Sequence, residues 1–338
     1  MRRYKLYTVI WEITLKCNLR CLHCGSSAGY ARSDELTTKE ALKVVKELAE
    51  LKAKDICLMG GEPFLRDDWF EIAKAIKDYG MELSFVSNGL ILDKVIDDLA
   101  KLEPIVVGIS LDGTEKVHDM IRGVKGSFKK AIEAINLLTL RDIQTTVITT
   151  VSKLNLTELP KIKEILKNKN VNWQIQYALP IGRFDRKYLI SPEEFYAVGI
   201  FIAHCNLMNP LAHFPVVGAH GMGYYSERLP DYGGWYGCTA GISSLGIRSN
   251  GNITGCLTLP EEYDEGNVRE RSIADIWNDE DAFPYTRKFN LDQLGENCRN
   301  CKFGSICKGG CSASSLYLTG RFHNNPYCFR RLERAYKI

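Results

Sequence analysis

The chain has 338 residues, 45% hydrophobic and 25% charged, and its 44 basic residues against 41 acidic ones leave a net charge of +3. That balance is ordinary for a globular protein and too near neutral to call for nucleic acid, and no apolar run reaches the roughly 18 residues a membrane helix needs. The start, MRRYKLYTVIWEI, passes from basic residues straight into a strand pattern without an apolar core or cleavage site, so it is not read as a signal peptide. A cytoplasmic protein is expected, and in that compartment 12 cysteines point to metal ligation before disulfides.

Apolar runs with strand character fall near residues 7–14, 55–59, 82–86, 105–111, 144–151 and 173–179, and helical periodicity fills the gaps between them. Thr37 with Glu40 forms a capping-box pattern, Asp67 and Asp68 open a second helix, and Ser127 precedes a further one. Alternation of this kind implies parallel strands with right-handed crossovers, and six of them suit an α/β fold of the partial (β/α)6 barrel type. Chemistry in such barrels sits on the loops that follow the strands.

The loop after the first strand carries Cys17, Cys21 and Cys24, spaced C-x3-C-x2-C. Three thiolates leave one iron of a four-iron cluster without a protein ligand, and an open iron is a place to bind and activate a molecule. The alternative is zinc, whose structural sites take four protein ligands; His23 is placed to supply a fourth only with strain, being adjacent to Cys24. The second strand ends in Gly60-Gly61-Glu62-Pro63, where glycines admit a close approach and a carboxylate can hold an ammonium group; a plain β-to-α turn has the same composition.

After the sixth strand, Ser191-Pro192-Glu193-Glu194 starts a helix that runs to about Met208. Residues 213–237, rich in glycine and aromatics, read as an irregular connector. It carries His213, His220, Tyr224, Tyr225, Tyr232, Trp235 and Tyr236, and is expected to line a substrate pocket or to pack the domain junction. Asn250-Gly251, between two short apolar strands, predicts a hairpin with a type I′ turn. Seven cysteines lie beyond residue 237: Cys238, Cys256, Cys298, Cys301, Cys307, Cys311 and Cys328. A region with so small a core needs metal to hold it together. Cys57, in an apolar strand, and Cys205, on a helix, are read as core residues. The pattern divides the chain into a barrel at 1–190, a bridge at 191–237 and a cysteine-rich end at 238–338.

The triplet loop followed by GGEP resembles the radical S-adenosylmethionine (SAM) enzymes. The resemblance implies that Cys17, Cys21 and Cys24 hold a [4Fe-4S] cluster whose open iron binds SAM. It places His23 near the adenine, Gly60, Gly61, Glu62 and Pro63 at the methionine ammonium, and Ser87, Asn88, Ser110 and Asp112 at the ribose and methionine parts. It puts Arg122 at the SAM carboxylate. One-electron cleavage of SAM then gives a 5′-deoxyadenosyl radical that takes hydrogen from a substrate.

The seven later cysteines resemble a SPASM domain, as found in maturases of peptides, peptide-derived cofactors and sulfatases. This implies two auxiliary [4Fe-4S] clusters, one on Cys298, Cys301, Cys307 and Cys328, the other on Cys238, Cys256 and Cys311, for three clusters in all. The second set lacks a fourth cysteine, which implies an open iron, a non-cysteine ligand or partial occupancy; Asp231, Tyr232 and His220 are the candidate ligands. Sulfatase maturases carry an aspartate after the cysteine matching Cys256, where this chain has Leu257. Only 16 residues precede Cys17, so no fused leader-binding domain is expected, and any leader would need a separate protein or direct recognition by the barrel. The expected substrate is a peptide or protein side chain; the alternatives are a tetrapyrrole or other small molecule, since haem-pathway relatives share a similar WEIT-x-x-CN opening, and, in another class, a bare electron carrier. A flavodoxin or ferredoxin is the expected reductant, with neither nucleic acid nor membrane as partner.

Overall fold

The computed structural model describes residues 4–208, 214–219, 222–229, 232 and 234–337. Six strands, β1 (Thr8–Thr14), β2 (Asp55–Gly60), β3 (Glu82–Ser87), β4 (Val106–Ser110), β5 (Thr145–Val151) and β6 (Asn172–Tyr177), pair in chain order and all in parallel. The crossovers carry α1 (Thr38–Glu50), α2 (Trp69–Asp78), α3 (Leu92–Lys101), α4 (Glu115–Arg122), α5 (Ser127–Leu140) and α6 (Leu159–Leu166). This is the partial barrel that the alternating pattern predicts.

Two further parallel strands extend it. β7 (Val216–Gly218) joins β6, and β8 (Ser244–Ile247) joins the free edge of β1, register Thr8 with Ser244 and Trp11 with Ile247. β9 (Asn252–Thr254) and β10 (Gly266–Asn267) then add antiparallel beyond β8. The segment 213–237 is therefore not wholly irregular. β7 escapes the sequence reading because three residues are too few to show a period, and its support comes from Trp173, whose N–H donates to Pro215 O at 2.9 Å. The boundary drawn at residue 238 falls between strands of one continuous sheet.

Helix starts follow the caps in part. Thr37 and Glu40 form the capping box, and Ser191 and Glu194 make the same reciprocal pair ahead of α7 (Pro192–Met208). Ser127 does not cap α5; Asp119, at the end of α4, accepts from Gly126 N at 2.6 Å and Phe128 N at 2.8 Å and does that work from outside. The 250–251 turn also differs. Gly251 N donates to Arg248 O at 2.9 Å and Gly251 alone has positive φ, +90°, so this is a three-residue turn closing on a left-handed glycine rather than type I′.

The two faces of the sheet differ sharply. Ile56 and Leu58, Leu83 and Phe85, Val107 and Ile109, and Trp173 and Ile175 are buried in one core with Val44, Leu48, Ile72, Ile135 and Leu138 of the helices. Their alternates, Ile10, Cys57, Met59, Val86, Ser110, Ile148, Thr150, Gln174 and Gln176, are only half-buried. Because side chains alternate along a strand, these share the opposite, inner face. Instead of layers of packed side chains, that face keeps partial contact with solvent. Cys205 is buried, as expected, whereas Cys57 belongs to this inner face.

Candidate functional site

The loop after β1 is shaped by its neighbours. Gly61 N donates to Thr14 O at 2.7 Å, and Glu62 N to Lys16 O at 2.8 Å. A Cβ on Gly60 would meet Thr14 O at 2.2 Å, and one on Gly61 would meet Lys16 O at 2.4 Å. The space the two glycines free is therefore taken by the cysteine loop itself. From the far side, Arg183 donates from Nε to Cys21 O at 3.1 Å and from a terminal nitrogen to Ala28 O at 2.8 Å. Gly182, with φ +58°, lies so close that a Cβ would meet Cys24 O at 2.2 Å.

Within this frame each thiol receives N–H donors. Leu19 N reaches Cys17 Sγ at 3.4 Å and Ala28 N reaches Cys24 Sγ at 3.4 Å. Asn88 Nδ2 lies 3.8 Å from Cys17 Sγ, and a guanidinium nitrogen of Arg122 lies 3.7 Å from Cys21 Sγ. Burial pushes the Cys17 thiol up to about 11, the cost that a bound cation would remove. Donors aimed at three sulfurs are what a negatively charged cluster requires, so the chemistry of the loop fits an iron–sulfur group.

Glu62 is fully buried, accepting from Ser87 Oγ at 2.8 Å and from Asn88 N at 2.8 Å. Burial outweighs these bonds and pushes its carboxyl up to about 7. Pro63 begins the short turn that follows. Asp112 is also fully buried. Its Oδ2 pairs with Arg122 at 2.6 Å and His23 Nε2 at 2.9 Å, and its Oδ1 accepts from Thr150 N at 3.0 Å. Burial opposes ionisation there, but the Arg122 and His23 contacts hold Asp112 below the usual carboxylate range. Both Asp112 oxygens are thus occupied within the chain. Arg122 keeps one buried donor, Nε, without a partner. Ser110 sits half-buried at the end of β4, facing inward.

The later cysteines fall into two sets. Cys311 is pushed up by burial and then by Cys238 and Cys256. Cys307 is pushed up to about 12 by burial, then by Cys328, Cys298 and Cys301. Cys311 thus lies near Cys238 and Cys256, and Cys307 near Cys328, Cys298 and Cys301. Among the described residues no three His, Cys, Asp or Glu side chains are gathered as a single-ion site. His220 and Asp231, like His213, lie outside the described residues. Tyr232 packs its ring edge-on against Phe329 at 4.8 Å.

The aromatic connector packs against the cysteine-rich end. Tyr224 Oη accepts from Cys311 N at 2.9 Å and Asn325 Nδ2 at 2.7 Å, Tyr225 stacks on Phe303 at 3.9 Å, and Trp235 Nε1 donates to Cys307 O at 3.3 Å. Asn18 Oδ1 accepts from Asn88 Nδ2 at 2.8 Å, and no local sequence pattern marks Thr150, Gly182 or Arg183 as site residues. Gly182 and Arg183 lie in the loop after β6, beyond Pro180 and Ile181.

Two family models match the chain: the radical SAM superfamily over residues 11–166, and the iron–sulfur cluster-binding SPASM domain over residues 238–302. The chain belongs to the radical SAM superfamily and carries a C-terminal SPASM domain. It is a radical SAM enzyme that binds SAM and iron–sulfur clusters. Among curated relatives, it is 29% identical to an AdoMet-dependent heme synthase of Methanosarcina barkeri, over 96% of each chain. It is 26% identical to the mycofactocin maturase MftC of Mycolicibacterium smegmatis, over 91% of this chain and 78% of the relative. The fold is shared with Streptococcus suis SuiB bound to S-adenosylmethionine: TM-score 0.77 at 17% identity, covering 97% of this chain and 76% of that one. No helix among the described residues is long and apolar enough to cross a membrane.

Proposed function

We propose that this enzyme cleaves SAM reductively at a cluster on Cys17, Cys21 and Cys24 and uses the resulting radical on a tetrapyrrole of the haem-precursor type. The observation that carries the first half is the three-thiol loop with N–H donors at each sulfur, beside buried Glu62. A reduced cluster held there would supply one electron for reductive cleavage of SAM. The chain's own residues do the positioning. Ionised Glu62 accepts from the SAM ammonium, Arg122 Nε donates to the SAM carboxylate, and Asp112 fixes both Arg122 and the His23 ring. Two auxiliary clusters, on Cys238, Cys256 and Cys311 and on Cys298, Cys301, Cys307 and Cys328, complete a set of three. A flavodoxin or ferredoxin supplies the electrons.

The substrate half rests on likeness along nearly the full length to a heme synthase, and on the opening Trp11-Glu12-Ile13-Thr14 ahead of Cys17-Asn18. A second reading, a peptide or protein side chain, is favoured by the inner face of the sheet, where Thr150, Gln174 and Gln176 offer neutral donors and acceptors of the kind a peptide backbone takes. The test is anaerobic turnover with SAM and dithionite, on Fe-coproporphyrin III and on a peptide library, followed by mass spectrometry. A mass change in the tetrapyrrole, matched by 5′-deoxyadenosine, is the expected result. A mass change confined to a peptide overturns the first reading in favour of the second.

A further inference from the structure

One polar atom in the cysteine-rich region has no role in the protein alone. Tyr285 is buried, and its hydroxyl has essentially no contact with solvent and no hydrogen-bond partner. Leaving such a group unpaired costs on the order of 1–3 kcal/mol, so native proteins rarely do it without cause. The ring is not free to turn the hydroxyl elsewhere. It stacks on Phe322 at 5.1 Å with the planes 19° apart, and meets Tyr263 edge-on at 6.0 Å.

The place it points to is specific. A Cβ on Gly255, the residue before Cys256, would lie 2.2 Å from the Tyr285 hydroxyl and 3.1 Å from the Cβ of Ala240, two residues after Cys238. The next residue, Thr286, donates to Ala240 O at 2.7 Å and lines a small cavity with Cys238, Gly310 and Ser312. Tyr285 is thus locked against the backbone that presents Cys238 and Cys256. No acceptor for the hydroxyl's hydrogen lies at that point among the described residues. A phenol carries its hydrogen at neutral pH, so Tyr285 presents a donor there.

We infer that Tyr285 donates its hydroxyl hydrogen to a sulfur of the cluster held by Cys238, Cys256 and Cys311, and so sets that cluster's potential. The inference rests on the reading that these three cysteines hold a cluster. A hydrogen bond to a cluster sulfur stabilises the more negative, reduced state and raises the potential. It also gives this three-cysteine set, which lacks a fourth thiolate, a polar contact from another residue. Tyr285 is a positioning and tuning residue, with no part in ligation.

The experiment uses the full chain reconstituted with iron and sulfide, with Cys17, Cys21 and Cys24 changed to alanine to simplify the spectra. Redox titration followed by electron paramagnetic resonance is compared for this protein, Tyr285→Phe, and the chain carrying 2,3-difluorotyrosine at 285. Tyr285→Phe is expected to keep its iron, to shift one cluster to a more negative potential and to lose one exchangeable-deuteron coupling after transfer to D2O. The more acidic fluorinated phenol, a stronger donor of the same shape, should shift that cluster the opposite way. Unchanged potential and deuteron coupling in both variants overturn the inference. Cys256→Ala separates the layers: if it retains all its iron and every cluster signal, the cluster reading beneath the inference has failed, whatever Tyr285 does.

Discussion

Arg122 bridges to Cys21: one guanidinium nitrogen lies 3.7 Å from the Cys21 sulfur while another pairs with Asp112 at 2.6 Å. A cation held between a buried carboxylate and a thiol cannot be lost cheaply, because each partner would be left uncompensated. Breaking a buried pair of this kind costs about 3–5 kcal/mol. Asp112→Asn is expected to lower the urea midpoint accordingly and to weaken SAM binding by freeing Arg122 and His23. Arg122→Lys, which keeps the charge but not the planar fork, should recover part of the stability and little of the SAM affinity. Anaerobic unfolding and equilibrium dialysis with labelled SAM measure both.

The triplet prediction is compositional. Replacing Cys17, Cys21 and Cys24 with alanine should abolish 5′-deoxyadenosine formation and remove about four irons from a total near 12, since each four-iron site holds about four. Loss of all iron would mean that the later cysteines do not hold clusters independently.

Glu62 makes SAM binding depend on pH. Its carboxyl, pushed up to about 7 by burial, must be ionised to accept from an ammonium group. Affinity should therefore fall as pH drops below about 7, approaching tenfold per unit. Glu62→Gln should bind SAM weakly and lose this part of the slope. In SAM-free protein the sign reverses. A raised carboxyl binds its proton more tightly folded than unfolded, so stability falls as pH rises from the ordinary 4.5 toward 7, and Glu62→Gln flattens that fall. Calorimetric titration and unfolding across pH 5.5–8, roughly the span around that shifted value, check the two signs.

Tyr224→Phe removes the acceptor for Cys311 N and Asn325 Nδ2, leaving two buried donors unpaired at about 1–3 kcal/mol each. Auxiliary iron should be retained poorly on gel filtration, while the triplet's share is kept. Normal retention would show that the connector's aromatics serve the substrate and not the cysteine-rich end.

Much of this architecture is legible in the sequence because parallel strands leave a plain alternation of apolar runs and 3.6-residue periods. The first cysteine triplet is legible because Cys17, Cys21 and Cys24 keep short spacings, whereas Cys238, Cys256 and Cys311 lie far apart in the chain and enclose Cys298, Cys301 and Cys307. What stays hidden depends on distance. Arg183 and Cys21 are 162 residues apart, and Asp119 caps α5 from another helix, so no local pattern announces either. The glycines of GGEP are visible, but their neighbour is not: they look like room for a ligand and are filled by Thr14 and Lys16. β7 is invisible because three residues carry no period.

The parallel seam between β1 and β8 has a consequence for how the protein is made. During synthesis β1 emerges early, while its edge partner at Ser244–Ile247 follows more than 200 residues later. At about 5–20 residues per second, the β1 edge next to the cysteine loop waits roughly 10–50 s on the ribosome without its neighbour. An unpaired strand edge invites pairing with other chains. Chains released before residue 247 are therefore expected to aggregate rather than to yield a working barrel, and iron loaded onto the first three thiols during that interval would sit on a sheet whose flank is still open.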